Sequence, residues 1–342
     1  MTQPATAAPK DAPTSAAKSA EENGSSRLTG LRWDVRTLSL LGVLAVLVAV
    51  GGITAPDEFL ATSNLQLVLT QASVIGVVTV GMTFVITSGG IDLSVGAMVA
   101  LASVWATTVA TQDFGFAGIL FTAVVVGVGC GLVNGLLIAY GRMVPFIATL
   151  AMLASARGLA LQITDGSTQV VTVQSVLDLG GRDSYVLGIP PLVLIFAAVT
   201  VIGWLLLNRT TFGRRTVAVG GNAEAARLAG IDVRRQRLYL YLLSGLCCGI
   251  AAFMLIVLAG SGQNTNGNLY ELDAIAAAII GGTLLSGGRG TITGSVLGVL
   301  IFTTITNIFA LNNLETAVQQ IAKGAIIVAA VLVQRRSPHG DT

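Results

Sequence analysis

Histidine, cysteine and charge are all scarce in this 342-residue chain, and each scarcity closes off a class of function. The one histidine, His339, stands next to the C-terminal end, which leaves no imidazole for acid/base work and little for metal chemistry. Three cysteines, Cys130, Cys247 and Cys248, lie inside apolar runs. They supply neither a disulfide framework nor a four-ligand zinc site, and read as small packing residues. Charged residues make up 11% of the chain, less than half the ~25% usual in soluble proteins. A folded globule of this size could not cover its exterior with so few polar groups. The net charge of +2, with no long basic block, gives no reason to expect nucleic acid as a partner. No G-x-x-x-x-G-K-[ST] segment occurs, so any ATP hydrolysis linked to this chain belongs to another one.

What is abundant is apolar. Hydrophobic residues reach 53% and mean hydropathy is +0.80, so lipid is the solvent for most of the chain. Residues 1–34 differ: they are rich in Ala, Pro, Ser, Thr and Lys, cannot bury enough surface to fold, and are expected to form a disordered cytoplasmic tail. They are too long and polar for the start of a cleavable signal peptide. From Leu38 onward ten apolar segments recur, near 38–54, 65–87, 93–111, 115–139, 144–163, 190–207, 237–259, 273–285, 292–311 and 315–333. The expected fold is therefore an all-α polytopic membrane domain over 35–335, with about ten spans and a short cytoplasmic tail at 336–342. A span needs ~20 residues, so 38–54 is marginal and 273–285 must borrow from 268–272 or sit as a half-helix against protein.

Basic residues orient the domain. With a cytoplasmic N-terminus and alternating spans, all 19 fall on inner segments except Arg182 in an outer loop and Arg157 and Lys323 within spans. That bias is what the positive-inside rule asks for, and it puts both termini in the cytoplasm. Trp33, Tyr140, Trp204, Tyr239 and Tyr241 fall near the inner interface, as an aromatic belt would. The outer loop 164–189 is long enough for a short element, and the inner loop 208–237 is the most charged stretch of the chain. The 41 glycines are well above the ~7% norm. Gly127, Gly131 and Gly135 form a ridge one turn apart, and Gly294 and Gly298 repeat it, which suits close helix packing or a subunit interface.

Four places carry polar chemistry. Ser88-Gly89-Gly90-Ile91-Asp92-Leu93-Ser94 joins the second and third spans, with Asp92 placed to cap a helix or to form a joint. Asp273 stands likewise at the start of a short apolar segment that is broken by Gly281-Gly282 and runs to Gly287-Gly288-Arg289. In the ten-span scheme these two segments run in opposite directions. An inverted repeat of two four-span blocks would produce that opposition, and Gly-interrupted segments in matching positions point to a transport path. Arg157 and Lys323 are cations within spans and should face protein or water; Arg157 could pair with Asp165 or reach the outer surface. Finally, Asn222 to Gly230 reads as a short helix with Asn222 as N-cap, Glu224 in its first turn and Gly230 as its stop. So short a helix must dock on something, either this protein's own helix ends or a cytoplasmic partner.

Three of these segments, Ser88 to Gly96, Gly221 to Ile231, and Asp273 through Gly281-Gly282 to Gly290, resemble in wording and order the membrane permeases of ribose-type ABC sugar importers. The resemblance covers about residues 35–335. It implies a dimer of about ten helices per subunit, a cytoplasmic ATPase partner that carries the ATP and Mg, and an extracytoplasmic sugar-binding protein, with no cofactor in this chain. It implies that Asn222, Glu224, Ala225, Ala226, Arg227 and Gly230 form the helix that couples to the ATPase. Ser88, Gly89, Gly90, Asp92, Ser94, Arg157, Asp273, Gly281, Gly282, Gly287, Gly288, Arg289 and Lys323 are candidates for the translocation path or its gates. The sugar stays open among ribose, xylose, galactose, a sugar alcohol and an inositol. A proton-coupled secondary transporter is the main rival, but it needs a titratable relay and would leave the 222–230 helix unexplained. An intramembrane enzyme lacks a nucleophile paired with a base, and a purely structural subunit is the remaining reading.

Overall fold

The computed structural model describes residues 35–181 and 184–336. The tail expected at 1–34, the last six residues, and with them Trp33, Arg182 and His339, lie outside the described residues. In chain order the elements are α1 (Val35–Thr54), α2 (Pro56–Phe59), α3 (Thr62–Thr87), α4 (Val95–Ala106), α5 (Val109–Gln112), α6 (Gly115–Ala139) and α7 (Pro145–Thr164). There follow β1 (Gln169–Val170), α8 (Gln174–Gly180), α9 (Pro191–Arg209), α10 (Thr211–Gly221), α11 (Ala223–Leu228), α12 (Val233–Ala259), β2 (Ser261–Gly262), α13 (Tyr270–Ile280), α14 (Ile292–Leu311) and α15 (Thr316–Arg336).

Each of the ten apolar segments contains a helix, and the marginal first one is a full 20 residues. Seven helices among the described residues are long and apolar enough to cross a membrane: α1, α3, α6, α7, α9, α12 and α14. The other three depart from the expected spans. The segment at 93–111 is a 12-residue helix, α4, followed by a turn and the four-residue α5. At 1.5 Å per residue α4 covers about 18 Å, little over half of the hydrocarbon layer. The segment at 273–285 is the 11-residue α13, which starts at Tyr270 and stops before Gly281-Gly282. The last, α15, has the length, but Gln319, Gln320 and Lys323 interrupt its apolar surface.

The loops hold more structure than sequence suggested. The connection at 164–189 carries β1 and α8, and β1 pairs antiparallel with β2, Gln169 opposite Gly262. This two-residue ladder and an isolated antiparallel bridge between Val186 and Ile189 are the departures from an all-α fold among the described residues. The loop at 208–237 contains a helix not expected from the sequence, α10, whose N-cap Thr210 accepts a hydrogen bond from Gly213 N. Phe212, Thr216 and Val219 gave the signal, a helical spacing of non-polar or half-polar residues inside a charged stretch.

The core is built on α3, with 18 of its 26 residues buried, and on α12, which packs along α3, α4 and α6. Eleven of the 12 residues of α4 are buried, wedged between α6, α7 and α12. Lipid does not drive helices together by the hydrophobic effect, so the contact must come from close packing. The glycine ridge of α6 provides it within the subunit. A Cβ at Gly131 would strike the Tyr241 carbonyl and the Gly245 Cα, and one at Gly245 would strike Gly127 and Gly131 in return. Gly294 and Gly298 of α14 do the same against Gly281 and Ala277. Tyr241, expected in the aromatic belt, is instead 2% exposed beneath this contact, while Tyr140 and Tyr239 are exposed as a belt requires. All three cysteines are free and buried.

The ridge generates a prediction. Gly131→Ala should destabilise the folded protein by about 1–3 kcal/mol through overpacking. Gly129→Ala, with nothing within 4 Å of its new Cβ, should be neutral or stabilise by up to about 1 kcal/mol. Thermal unfolding of the two variants in the same detergent distinguishes them.

Candidate functional site

Two stretches of non-helical backbone run inside the helix bundle. The first, residues 88–94, leaves the end of α3 and feeds α4. The second, residues 260–269, leaves α12 at Gly260, whose left-handed conformation ends that helix, and turns back along α4. Its Gly262 lies against Ser103 and Thr107 near the end of α4, and its Gly267 lies against Gly96 and Val99 near the start. α13 therefore begins beside the first turn of α4. A Cβ on Gly96 would strike the Gly267 carbonyl and the Glu271 carboxylate, so the two half-helices meet N-terminus to N-terminus.

Buried backbone outside helices must find partners, because lipid offers none. The first stretch is held by Asp92, fully buried, whose Oδ1 accepts from Ser94 N at 3.0 Å and from the Ser94 hydroxyl. Its Oδ2 accepts from the Ser244 hydroxyl of α12 at 3.0 Å, and Asn134 Nδ2 of α6 donates to Ser94 Oγ at 2.9 Å. Asp92 is thus not the helix cap that sequence suggested. Ser94 occupies that position, and the carboxylate sits two residues earlier, tying the loop to α12. The second stretch is held by Arg157 of α7, which donates to the carbonyls of Asn264 and Asn266, the latter at 2.9 Å. Arg157 does not pair with Asp165, which serves instead as the left-handed C-cap of α7.

Asp273 and Lys323, singled out separately, are partners. Lys323 Nζ of α15 lies 3.2 Å from Asp273 Oδ2 and 5.3 Å from the Phe302 ring centroid. The side chains are 20% and 7% exposed for Lys323 and Asp273 respectively, so the pair is largely out of water. Asp273 lies in the first turn of α13 rather than at its start, since the left-handed Leu269 holds the cap position. The spacing of 50 residues between the two charges left no signal that they meet.

The remaining candidates converge on one joint at the C-terminal end of α3. Gly288 N donates to Thr87 O at 2.9 Å. A Cβ on Gly220 would overlap Thr87 O and Gly288 N, one on Gly287 would approach Gly220 O and Gly89, and one on Gly290 would overlap the Thr87 hydroxyl. Gly287 and Gly288 both have positive φ, 85° and 80°, a pair of left-handed turns that other residues adopt only under strain. Ser88 is buried with its hydroxyl on Val85 O, Gly90 lies against the Tyr241 hydroxyl, Gly281 abuts Gly294, and Gly282 makes the turn out of α13. Arg289 is exposed, and its carbonyl closes the loop with Leu284 N. Thr87, Gly220 and Gly290 complete the joint; sequence singled out the three segments that carry them but gave no sign that the segments meet.

α11 follows directly from Gly220-Gly221. Asn222 caps it, accepting from Glu224 N and Ala225 N, and Gly230 with φ 84° ends it, as the sequence predicted. Only Ala226 of its six residues is buried, and Leu228 is 75% exposed. Glu224 and Arg227 form an ion pair across one turn, whose hydrogen bonds and charge hold the Glu224 carboxyl below its usual range. Both are well exposed, so the pair adds little stability and is free to exchange for other partners. Gln236 of α12 clamps the base of this unit by donating to Phe212 O and to Thr216 Oγ1 of α10.

Residues 64–331 match the family described as "Branched-chain amino acid transport system / permease component". The ribose import permease protein RbsC of Bacillus subtilis is 42% identical over 294 residues, 86% of this chain and 91% of that protein. The L-arabinose ABC transporter permease protein AraH of Azospirillum brasilense is 37% identical over 309 residues, 90% of each chain. The D-allose transport system permease protein AlsC of Escherichia coli is 36% identical over 294 residues, 86% of this chain and 90% of that one. No solved structure matches the chain.

The buried pair sets a test of the site's electrostatics. Lys323→Met strands a carboxylate in a dry setting and should cost about 3–5 kcal/mol, whereas the double variant with Asp273→Asn should recover much of that loss. A double-mutant cycle on thermal unfolding reads the coupling.

Proposed function

This chain belongs to the permease family of ribose-type monosaccharide ABC importers, and from that premise we propose that it is the membrane path by which ATP hydrolysis on a partner chain drives a monosaccharide inward. It is a multi-pass protein of the plasma membrane. The family description speaks of branched-chain amino acids, but the relatives named above carry ribose, arabinose and allose in their names, and a ribose-like sugar or polyol is the cargo we favour.

One observation carries the mechanism. The capped and exposed α11 leads through α10 into a joint where the C-terminal end of α3, the 281–291 loop and Gly220 touch backbone to backbone. A partner ATPase that seats α11 in a cleft would move that joint, and with it α13 and the loop that feeds α4. Asn222, Glu224, Ala225, Ala226, Arg227 and Gly230 are the residues of that contact; alanines at 225 and 226 leave room for close docking. Alternating access then follows as a rigid-body rocking of helices around the abutting half-helices. α4 and α13, of 12 and 11 residues, support an inverted repeat, and ten crossings with both termini inside remain the topology that best arranges the basic residues. A second copy of the chain and an extracytoplasmic sugar-binding protein complete the importer.

The assembled importer in proteoliposomes should take up sugar only with ATP, and collapsing a proton gradient should leave the rate unchanged. Uptake that follows the gradient instead would favour the secondary transporter. Glu224→Lys should abolish uptake while the subunits still assemble. With Ala225→Cys and a cysteine on the ATPase, a crosslink should form in a nucleotide-dependent way; the absence of any crosslink along 222–230 would remove the coupling role.

A further inference from the structure

Resting on that reading, the geometry points to one cavity as the place where a monosaccharide is held in transit. A pocket of about 210 Å³ lies between α3, α13, α14 and α15, with Asp273 and Lys323 in its wall. It is below the ~300 Å³ floor of sites for drug-sized ligands, and suits one small polar molecule. What sets its lining apart from the other polar pocket, beside Ser63, Gln66 and Thr70, is the ion pair in its wall. Gln71, Tyr270 and Thr303 are among its lining residues, Gln71 at the exposed edge and Thr303 buried, and none of the three side chains has a hydrogen-bond partner among the described residues. Lys323 has three N–H donors, and its hydrogen bonds, at 3.2 and 3.4 Å, go to Asp273 alone. Those distances are long for a charge-assisted bond, so both groups keep capacity for a ligand.

The chemistry of this wall is that of a sugar. A monosaccharide presents hydroxyls that both donate and accept around its rim and C–H groups on its faces. Gln71 and Thr303 can do both, the carboxylate accepts, the ammonium donates, and Tyr270 and Phe302 supply aromatic surface for the faces. An ion would need one sign of charge, and a lipid tail would need none of these polar groups. The ion pair also keeps the resting wall neutral, so an uncharged polyol can exchange hydrogen bonds with it without stranding a charge. Because the contacts are few, the site holds its cargo weakly, which passage requires.

The test uses the whole importer, with its ATPase and binding protein, in proteoliposomes, and radiolabelled D-ribose, L-arabinose and D-allose as probes. Thr303→Val and Gln71→Leu keep size while removing hydrogen-bonding groups, and Val201→Ala, on α9 outside the cavity lining and 57% exposed, is the control. Each cavity variant should lower the maximal uptake rate roughly tenfold at saturating binding protein, the worth of about one hydrogen bond, and still copurify with the ATPase. The control should match wild type. Wild-type rates in both cavity variants would overturn this site and leave the importer reading standing. Failure of the wild-type assembly to move any of these three sugars, and equally xylose, galactose, a sugar alcohol or an inositol, would overturn the importer reading, and this site with it.

Discussion

Every peptide group that leaves a helix inside lipid needs a partner from the protein itself, and that demand organises this molecule. Two segments, 88–94 and 260–269, break the helical pattern within the bundle. Asp92, Ser94 and Ser244 hold the first, Arg157 holds the second, and the buried α4 runs alongside both. The buried charges among them, Asp92 and the half-buried Arg157, are spent on this backbone. The scarcity of charge and the presence of buried charge are two sides of one fact, since a carboxylate or guanidinium survives in this setting only where it has backbone or a counter-ion to serve.

The breaks explain the short helices. A continuous span through 93–111 would leave Asp92 and the glycines before it no purpose, whereas a half-helix lets α4 and α13 share one membrane depth with their N-termini in contact. Packing so close requires residues without side chains, and Gly96 and Gly267 are where the two elements touch. The same logic recurs at the C-terminal end of α3, where backbone meets backbone at Gly89, Gly220, Gly287 and Gly288. Contacts of this kind have little slack, because a tightly packed backbone shifts as a block rather than bending residue by residue. A push on α11 therefore has a short and stiff route to α13.

Much of this was legible in the sequence, for physical reasons that differ from element to element. The seven long apolar helices follow from hydropathy, and α11 follows from Asn222, Glu224 and Gly230, because capping is local chemistry. The role of Gly127, Gly131 and Gly135 followed from spacing, though which helix they face did not. What sequence could not give were contacts distant along the chain. Lys323 stands out as a cation within a span and Asp273 as the start of a short broken helix, yet nothing local joins them. For Arg157 the sequence offers a neighbour, Asp165, or water, and its partners are two carbonyls more than a hundred residues away. Tyr241 reads as an interfacial aromatic by position and is buried because the glycine contact brings α6 over it. The length of α4 was misjudged because residues 93–111 are apolar throughout, and hydropathy does not register where a helix stops.

The central claim is that α11 and the glycine joint move together, relative to the outer half of the bundle, when nucleotide binds the partner ATPase. Spin labels at Leu228 and Leu285, and in a second sample at Leu228 and Thr265, measure it directly by pulsed electron resonance in the reconstituted importer. The account predicts that nucleotide leaves the Leu228–Leu285 distance fixed and shifts the Leu228–Thr265 distance by several ångströms. A change confined to Leu228–Leu285, with Leu228–Thr265 constant, would contradict it.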